Sequence, residues 1–511
     1  MHPLPGRPPR LRPARRPAPL VLVALVAIAS LTLAAEPNPP PAPLKPVTAP
    51  DPIEGSWTGL VTAPQGTTAI GFEFARTGTG EIGVTVTMPF MHTDHATFGD
   101  NLQRAPDHYV FRPLDTSFAL AGDELTGSFG LGRLPVALHR GPVPAAEPPA
   151  PPFPAPPAQL WSYPLGSLTW ASPVVRDNIA YVGARDGKFH AVRTTDGVGV
   201  WIWAGPNRVD GRAVVSDDAV FFVDGKIELV CLNCADGALR WRFPLHDAQL
   251  AGQPAPDNPT FNRRTATPLV TRDAVYCGSS DGGLYALDPA SGRKLWRHEA
   301  GAPVYSGVAL VDGGQLAFGC MDGSVVMLNR ATGDETGRFK AGGAIVTTPL
   351  FTADRLIVGG RDYQLYGFNL TDHAVAWRYS YWFSWVESTP LLVDGLLYVG
   401  ASDFRRVTAF QPADGQVRWS TDVLGMCWGT PAVGAETVFI GTAAQNIPGT
   451  VINHLGGIMA LDRKTGAVKW QLRAPPAPLN SFGGYAGSLA LDGPRLIGAR
   501  FDGVLTAYPA N

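Results

Sequence analysis

Three groups of residues in this chain have side chains suited to chemistry. Cys231-Leu232-Asn233-Cys234 has the spacing of a redox dithiol, of half a zinc site or of a local disulfide. The five cysteines (Cys231, Cys234, Cys277, Cys320 and Cys427) are an odd number, so an oxidising compartment cannot pair them all. A redox dithiol belongs at a helix N-terminus, and no helical periodicity surrounds this one. A zinc site needs a second ligand pair, and the sequence offers none. Free structural thiols and a local disulfide remain. His92, Asp94 and His95 form a His-x-Asp-His cluster able to ligate a metal, in a stretch that reads otherwise as a solvated loop. Tyr381-Trp382-Phe383-Ser384-Trp385-Val386-Glu387 sets one acid among aromatics. That composition suits an apolar pocket for an extended peptide, a sugar or a small ligand; the same aromatics also suit packing between structural units. No Ser/His/Asp arrangement or carboxylate pair stands out from the background.

The elements that must position these groups are set by a repeat. Ala286-Leu287-Asp288-Pro289-Ala290-Ser291-Gly292-Arg293-Lys294-Leu295-Trp296 reads as a strand end, a tight turn and a second strand carrying Trp296. The phrase recurs as Ala460-Leu461-Asp462-Arg463-Lys464-Thr465-Gly466-Ala467-Val468-Lys469-Trp470, and weaker copies end at Trp201, Trp241, Trp377 and Trp419. Trp161 lies in a lone strand upstream, and Gly337 fills the tryptophan slot in one copy. The step is about forty residues, the period of a four-stranded propeller blade. Within each copy a short strand often ends in Ser-Pro or Thr-Pro, as at Ser172-Pro173 and Thr267-Pro268. A second, apolar strand ends in Gly, and an Asp-Gly hairpin turn follows, as at Asp186-Gly187, Asp281-Gly282, Asp322-Gly323 and Asp502-Gly503. These strands are called A, B, C and D here. The last copy has A, B and C only, so Gln159-Leu160-Trp161-Ser162-Tyr163 is expected to supply its D strand. The expectation is an all-β protein with an eight-bladed propeller of four-stranded antiparallel blades, closed by an N-terminal strand, and with no edge left open at the join.

The tryptophan phrase resembles the repeat of the PQQ-like, quinoprotein-type eight-bladed propellers over residues 159–511. The resemblance implies that Trp161, Trp201, Trp241, Trp296, Trp377, Trp419 and Trp470 dock one blade on the next. It transfers no cofactor or catalytic residue. The quinone dehydrogenases of this family use a vicinal Cys-Cys, a stacked Trp and acids around Ca²⁺; this chain has no Cys-Cys and no Cys-x-x-Cys-His. It is similar also to the non-enzymatic propeller scaffold lipoprotein of the outer-membrane β-barrel assembly machinery, although no cysteine sits at the leader junction to carry lipid. That resemblance implies a binding or assembly scaffold without a cofactor. A dehydrogenase of alcohols or sugars, requiring PQQ and Ca²⁺, is the alternative.

Residues 1–35 read as a secretory signal: an Arg-rich start, an apolar run from Leu20 and a small-residue junction at Ala34-Ala35. Residues 36–52 are a Pro-rich spacer, 53–140 a small β-meander or lipocalin-like domain opening with Gly55-Ser56-Trp57-Thr58-Gly59, and 141–158 a Pro/Ala-rich linker expected to hold that domain apart from the ring. The net charge is −2 and only 16% of residues are charged, with no basic stripe, so nucleic acid is excluded as a partner. A periplasmic or secreted monomer follows, with a protein or peptide partner in the cell envelope and no membrane span after cleavage.

Strand direction then sets the faces. D–A and B–C connections leave one face of the ring, where the insertions at 243–263 and 442–456 also fall. Strand A lines the channel, so Trp382, Trp385 and Glu387 are expected at its mouth on that face. Trp428, Tyr305 and Trp170 occupy the position of Glu387 in other blades. The candidate ligand-binding set is Trp382, Trp385, Glu387, Trp428 and Tyr305. The linker enters on the opposite face.

Overall fold

The structure, a computed structural model, describes residues 45–511 except 64–65, 90–92, 98–101, 112–115, 130–133, 146–152, 226–227, 247–264, 312–313, 382–383, 447–454, 480 and 511. The leader, most of the spacer, His92, Trp382 and the middle of both insertions lie outside the described residues. The regular elements are strands. Eight sheets form the blades, each with strands A to D in chain order where the blade is continuous. The first takes Val174–Arg176, Ile179–Gly183, Lys188–Arg193 and Gly199–Ala204. The eighth is composite: Ala490–Asp492, Arg495–Ala499 and Val504–Pro509 are completed by Trp161–Pro164. Trp161 stands opposite Ala507 and Pro164 opposite Val504, so the ring closes as the repeat requires.

Strands B and C are covered on both faces by neighbouring blades. Ala219–Asp224 and Val275–Gly278 are therefore buried throughout and read as unbroken apolar runs. The outer D strands alternate instead, as in Leu239–Pro244. The glycine that ends strand B has a steric cause. A Cβ on Gly183 would stand 2.4 Å from Val209 Cγ1 in the segment leading to the next blade, and one on Gly319 would stand 2.2 Å from Ile345 Cγ2. No side chain fits there.

Six of the docking tryptophans lie over the C–D turn of the following blade; Trp470 faces the composite eighth blade, whose C and D strands are not joined by a turn. Trp161 Nε1 donates to Thr194 O at 2.7 Å, Trp201 Nε1 to Cys234 O at 2.8 Å and Trp241 Nε1 to Pro289 O at 2.9 Å. Trp377 and Trp419 repeat the bond to Pro412 O and Arg463 O, both at 3.0 Å. The ring covers a glycine of that turn, for example Gly292 (φ 70°), where a Cβ would come within 2.6 Å of the Trp241 ring. The blade that lacks a tryptophan shows the complement. Where Gly337 stands in the slot, the turn glycine of the next blade is replaced by His373 (φ 60°). The His373 ring occupies the vacated space, 4.5 Å from the Phe339 centroid and 2.8 Å from where a Cβ on Gly337 would stand.

The small domain is a ten-stranded, nearly closed up-and-down sheet. Its core includes Trp57, which is fully buried with Nε1 donating to Ile53 O at 2.7 Å. The sheet also recruits Lys45–Pro46 from the spacer, paired with Arg104 and Gln103. Proline is tolerated there because the strand lies at an edge. The apolar cluster of this domain runs on into Ile357, Leu365 and Phe410 of blades 5 and 6. The linker therefore does not hold the domain apart from the ring: apolar surface on both sides offsets the separation that a proline-rich segment alone favours.

Candidate functional site

On one face, the D–A segments and B–C turns enclose a cavity of ≈ 450 Å³ where the blades converge. The residue before the proline position of strand A forms its inner ring: Ser172, Thr267, Thr348, Thr389, Thr430 and Ser488 all line it, and Arg212 takes the same place in blade 2. Two residues earlier in each blade comes a second tier, and Trp170, Asp210, Thr265, Glu387, Trp428 and Ala486 line the cavity from it. Tyr305 belongs to this tier by sequence but is 3% exposed and forms no part of the wall. Trp385 lines the cavity as expected.

The walls differ in character. Trp170 of blade 1 and Trp428 of blade 7 stack with centroids 5.5 Å apart and planes 14° apart. They meet because blade 8 contributes only Ala486 to their tier. Phe501 sits edge-on to Trp170 at 4.5 Å, and Phe482 lies 5.2 Å from it. Phe482 comes from Ser481–Gly484, an extra strand on the extended strand Thr437–Asn446. Trp170, Trp428 and Phe482 line the cavity while packing on one another and on Phe501.

The acid does not stand alone. Glu387 accepts from Arg361 Nε at 2.8 Å and lies 2.6 Å from its Nη2, with both side chains largely buried. The Arg361 guanidinium sits 4.7 Å above the Trp385 ring. Arg361 comes from the B–C turn of blade 5, where Tyr363 stands at φ 71° in the place that Gly187, Gly282, Gly323 and Gly503 hold in other blades. A side chain there costs about 1 kcal/mol, and such strain is characteristic of functional sites. Tyr363 faces the cavity. A third acid of the wall, after Asp210 and Glu387, is Asp403 from the B–C turn of blade 6. Burial among cavity atoms, with the charge of Glu387 adding to it and a bond from Ser402 opposing it, raises its carboxyl to about 6. The residue is half-buried and lines the cavity.

The sign of this shift makes a prediction. A carboxyl raised on folding stabilises the fold while protonated. That contribution is complete below its unfolded value near 4 and is lost as pH climbs through about 6. Asp403→Asn is therefore expected to stabilise the protein by about 2 kcal/mol at pH 7.5, with less than half of that gain at pH 4.5. Urea unfolding at the two pH values reads this; an equal gain at both contradicts the assignment.

The five cysteines are free thiols. Cys231 is buried in the core shared by blades 2 and 3, and its thiol is raised to about 12 by desolvation. The carbonyl of Cys234 receives Trp201, so the Cys-x-x-Cys spacing belongs to the docking turn. Asp94 and His95 lie on the strand Thr93–Thr97, not on a loop. Among the described residues no cluster of metal-ligating side chains forms.

Fold and site together define a tryptophan-docked, eight-bladed propeller of the PQQ-like type with an aromatic and charged channel mouth. The chain belongs to the outer membrane protein assembly factor BamB family, whose profile matches residues 155–286, 280–383 and 383–509. Outer membrane protein assembly factor BamB of Nitrosomonas eutropha is 30% identical over 132 residues, which are 24% of this chain and 32% of that protein. Quinoprotein alcohol dehydrogenase PedH of Pseudomonas putida is 35% identical over 69 residues, 14% of this chain and 12% of that protein. The matched stretches thus span a third or less of these relatives' lengths. The crystal structure of BamB from Moraxella catarrhalis superposes with a TM-score of 0.53 at 18% identity, over 69% of this chain and 97% of that one, a likeness of fold.

Proposed function

We propose that this chain is an exported, non-enzymatic scaffold of the bacterial cell envelope, and that it holds a segment of a partner protein at the channel mouth. The observation that carries the reading is the pairing of Glu387 with Arg361 beneath Trp385. A carboxylate held in an ion pair is a poor proton acceptor, whereas a fixed, partly apolar wall is what recognition of an extended segment needs. Membership of a family described as an outer membrane protein assembly factor supports it. Trp385, Glu387 and Trp428 form the contact wall of this proposal, and the seven docking tryptophans serve the frame.

The test is capture from an envelope extract. Wild-type protein is expected to retain a defined partner that a Trp385→Ala/Trp428→Ala variant loses at unchanged melting temperature. A partner retained equally by both proteins contradicts the site. The match to an alcohol dehydrogenase favours one rival reading. Dye-linked turnover of alcohol or glucose after addition of PQQ and Ca²⁺ would establish that rival and displace the scaffold.

A further inference from the structure

We infer that the blade 2 side of the channel mouth is a carboxylate-binding site centred on Arg212, so that the segment held there presents a C-terminal or side-chain carboxylate. The inference rests on the scaffold reading of the same cavity and adds the chemistry of its ligand.

The inner ring of hydroxyls is a latch between blades. Thr389 Oγ1 accepts the Thr348 N–H at 3.2 Å, Ser488 Oγ accepts the Thr430 N–H at 2.9 Å, and Ser172 Oγ accepts the Ser488 N–H at 2.8 Å. In each case a blade's hydroxyl satisfies the backbone of the blade before it. The hydroxyl is missing in two blades: blade 4 has Gly307 in its place, and blade 2 has a cation, Arg212. The N–H of Ser172 accordingly finds no acceptor among the described residues, and neither does the guanidinium of Arg212. A donor pair, one backbone and one cationic, is thus left at the same break in the ring.

Among the described residues no acid forms an ion pair with Arg212. Asp210, two residues away, lies 2.9 Å from Arg208 and 3.4 Å from Arg185. Glu387, four blades round the ring, is held by Arg361. Two guanidiniums, that of Arg185 from blade 1 and that of Arg208, thus already share the Asp210 carboxylate. Arg212 is accessible from the cavity yet crowded by protein atoms, which disfavours its charge. A planar anion with two acceptor oxygens completes both donors, and a carboxylate matches the guanidinium fork.

Three probes test this on the full chain by tryptophan fluorescence: N-acetyl-trialanine with a free carboxylate, its C-terminal amide, and the amide carrying a central aspartate. The free acid, the aspartate peptide or both are expected to bind at least tenfold more tightly than the plain amide; which of them does so identifies the source of the carboxylate. Arg212→Gln and Arg212→Thr are each expected to abolish that tenfold. Arg212→Thr installs the residue found in four sister blades, restores the latch and should fold at least as well as the parent. Equal binding of acids and amide, including none of either, overturns the inference. So does unchanged preference in both variants, or stronger binding of inorganic phosphate than of either acid. A parent protein that shows no acid preference while envelope capture stays intact sinks the carboxylate site alone, whereas capture that fails while acids still bind sinks the scaffold reading.

Discussion

Trp161→Ala is expected to lower the unfolding free energy by about 3 kcal/mol, and deletion of residues 159–164 to leave a ring that associates on concentration. The substitution removes an indole that covers Gly197 and donates to Thr194 O at 2.7 Å. The deletion additionally strips Val504–Pro509 of its partner strand, uncovering a row of backbone donors and acceptors at the outer edge of the last blade. Trp296→Ala is the control: it removes a ring lying over Gly333 inside the array without touching the join. Denaturant midpoints should place both substitutions in the same range. Gel filtration across a concentration series should show self-association for the deletion only. A deletion variant that melts and elutes like its parent would mean that the join contributes nothing.

The second large effect is expected at the channel mouth. Arg361→Met alone should cost about 3–5 kcal/mol, because it leaves the Glu387 carboxylate buried without its partner. Glu387→Gln alone should be costly for the converse reason. The double variant should recover much of either loss, since two neutral side chains carry no stranded charge. A double-mutant cycle measures the coupling. Additive losses would show that the two groups do not stabilise each other. Recovery of stability without recovery of partner capture would separate the pair's structural part from its part in recognition.

The frame was legible in the sequence because each of its rules repeats. Tryptophan, turn glycine, the glycine ending strand B and the Ser/Thr before the strand A proline each recur at a fixed period, and each has one steric or hydrogen-bonding cause. The mouth was less legible because it is assembled from departures from those rules. Trp385, Glu387 and Trp428 were reached by counting strands to a face. Arg361 and Asp403 were not, because they arrive from B–C turns of different blades and meet Glu387 only in three dimensions. A signal for them was nonetheless present. Tyr363 replaces the glycine of an Asp-Gly turn, and Arg212 interrupts a column of hydroxyls. Tyr305 shows the converse error: alignment places it in the second tier, but packing takes its ring into the core. Proline content predicted a stiff linker and carried no information about the apolar surfaces on either side of it.

The exchange of Gly337 with His373 bears on how far such a ring can be rearranged. At six junctions a docking tryptophan lies over a turn glycine of the next blade, whereas the fourth-to-fifth junction pairs Gly337 with His373 instead. Shuffling consensus repeats through the array would thus succeed until one of them brought an indole against His373. This boundary has a fit of its own, and a designer who wants a new chain start should avoid cutting there.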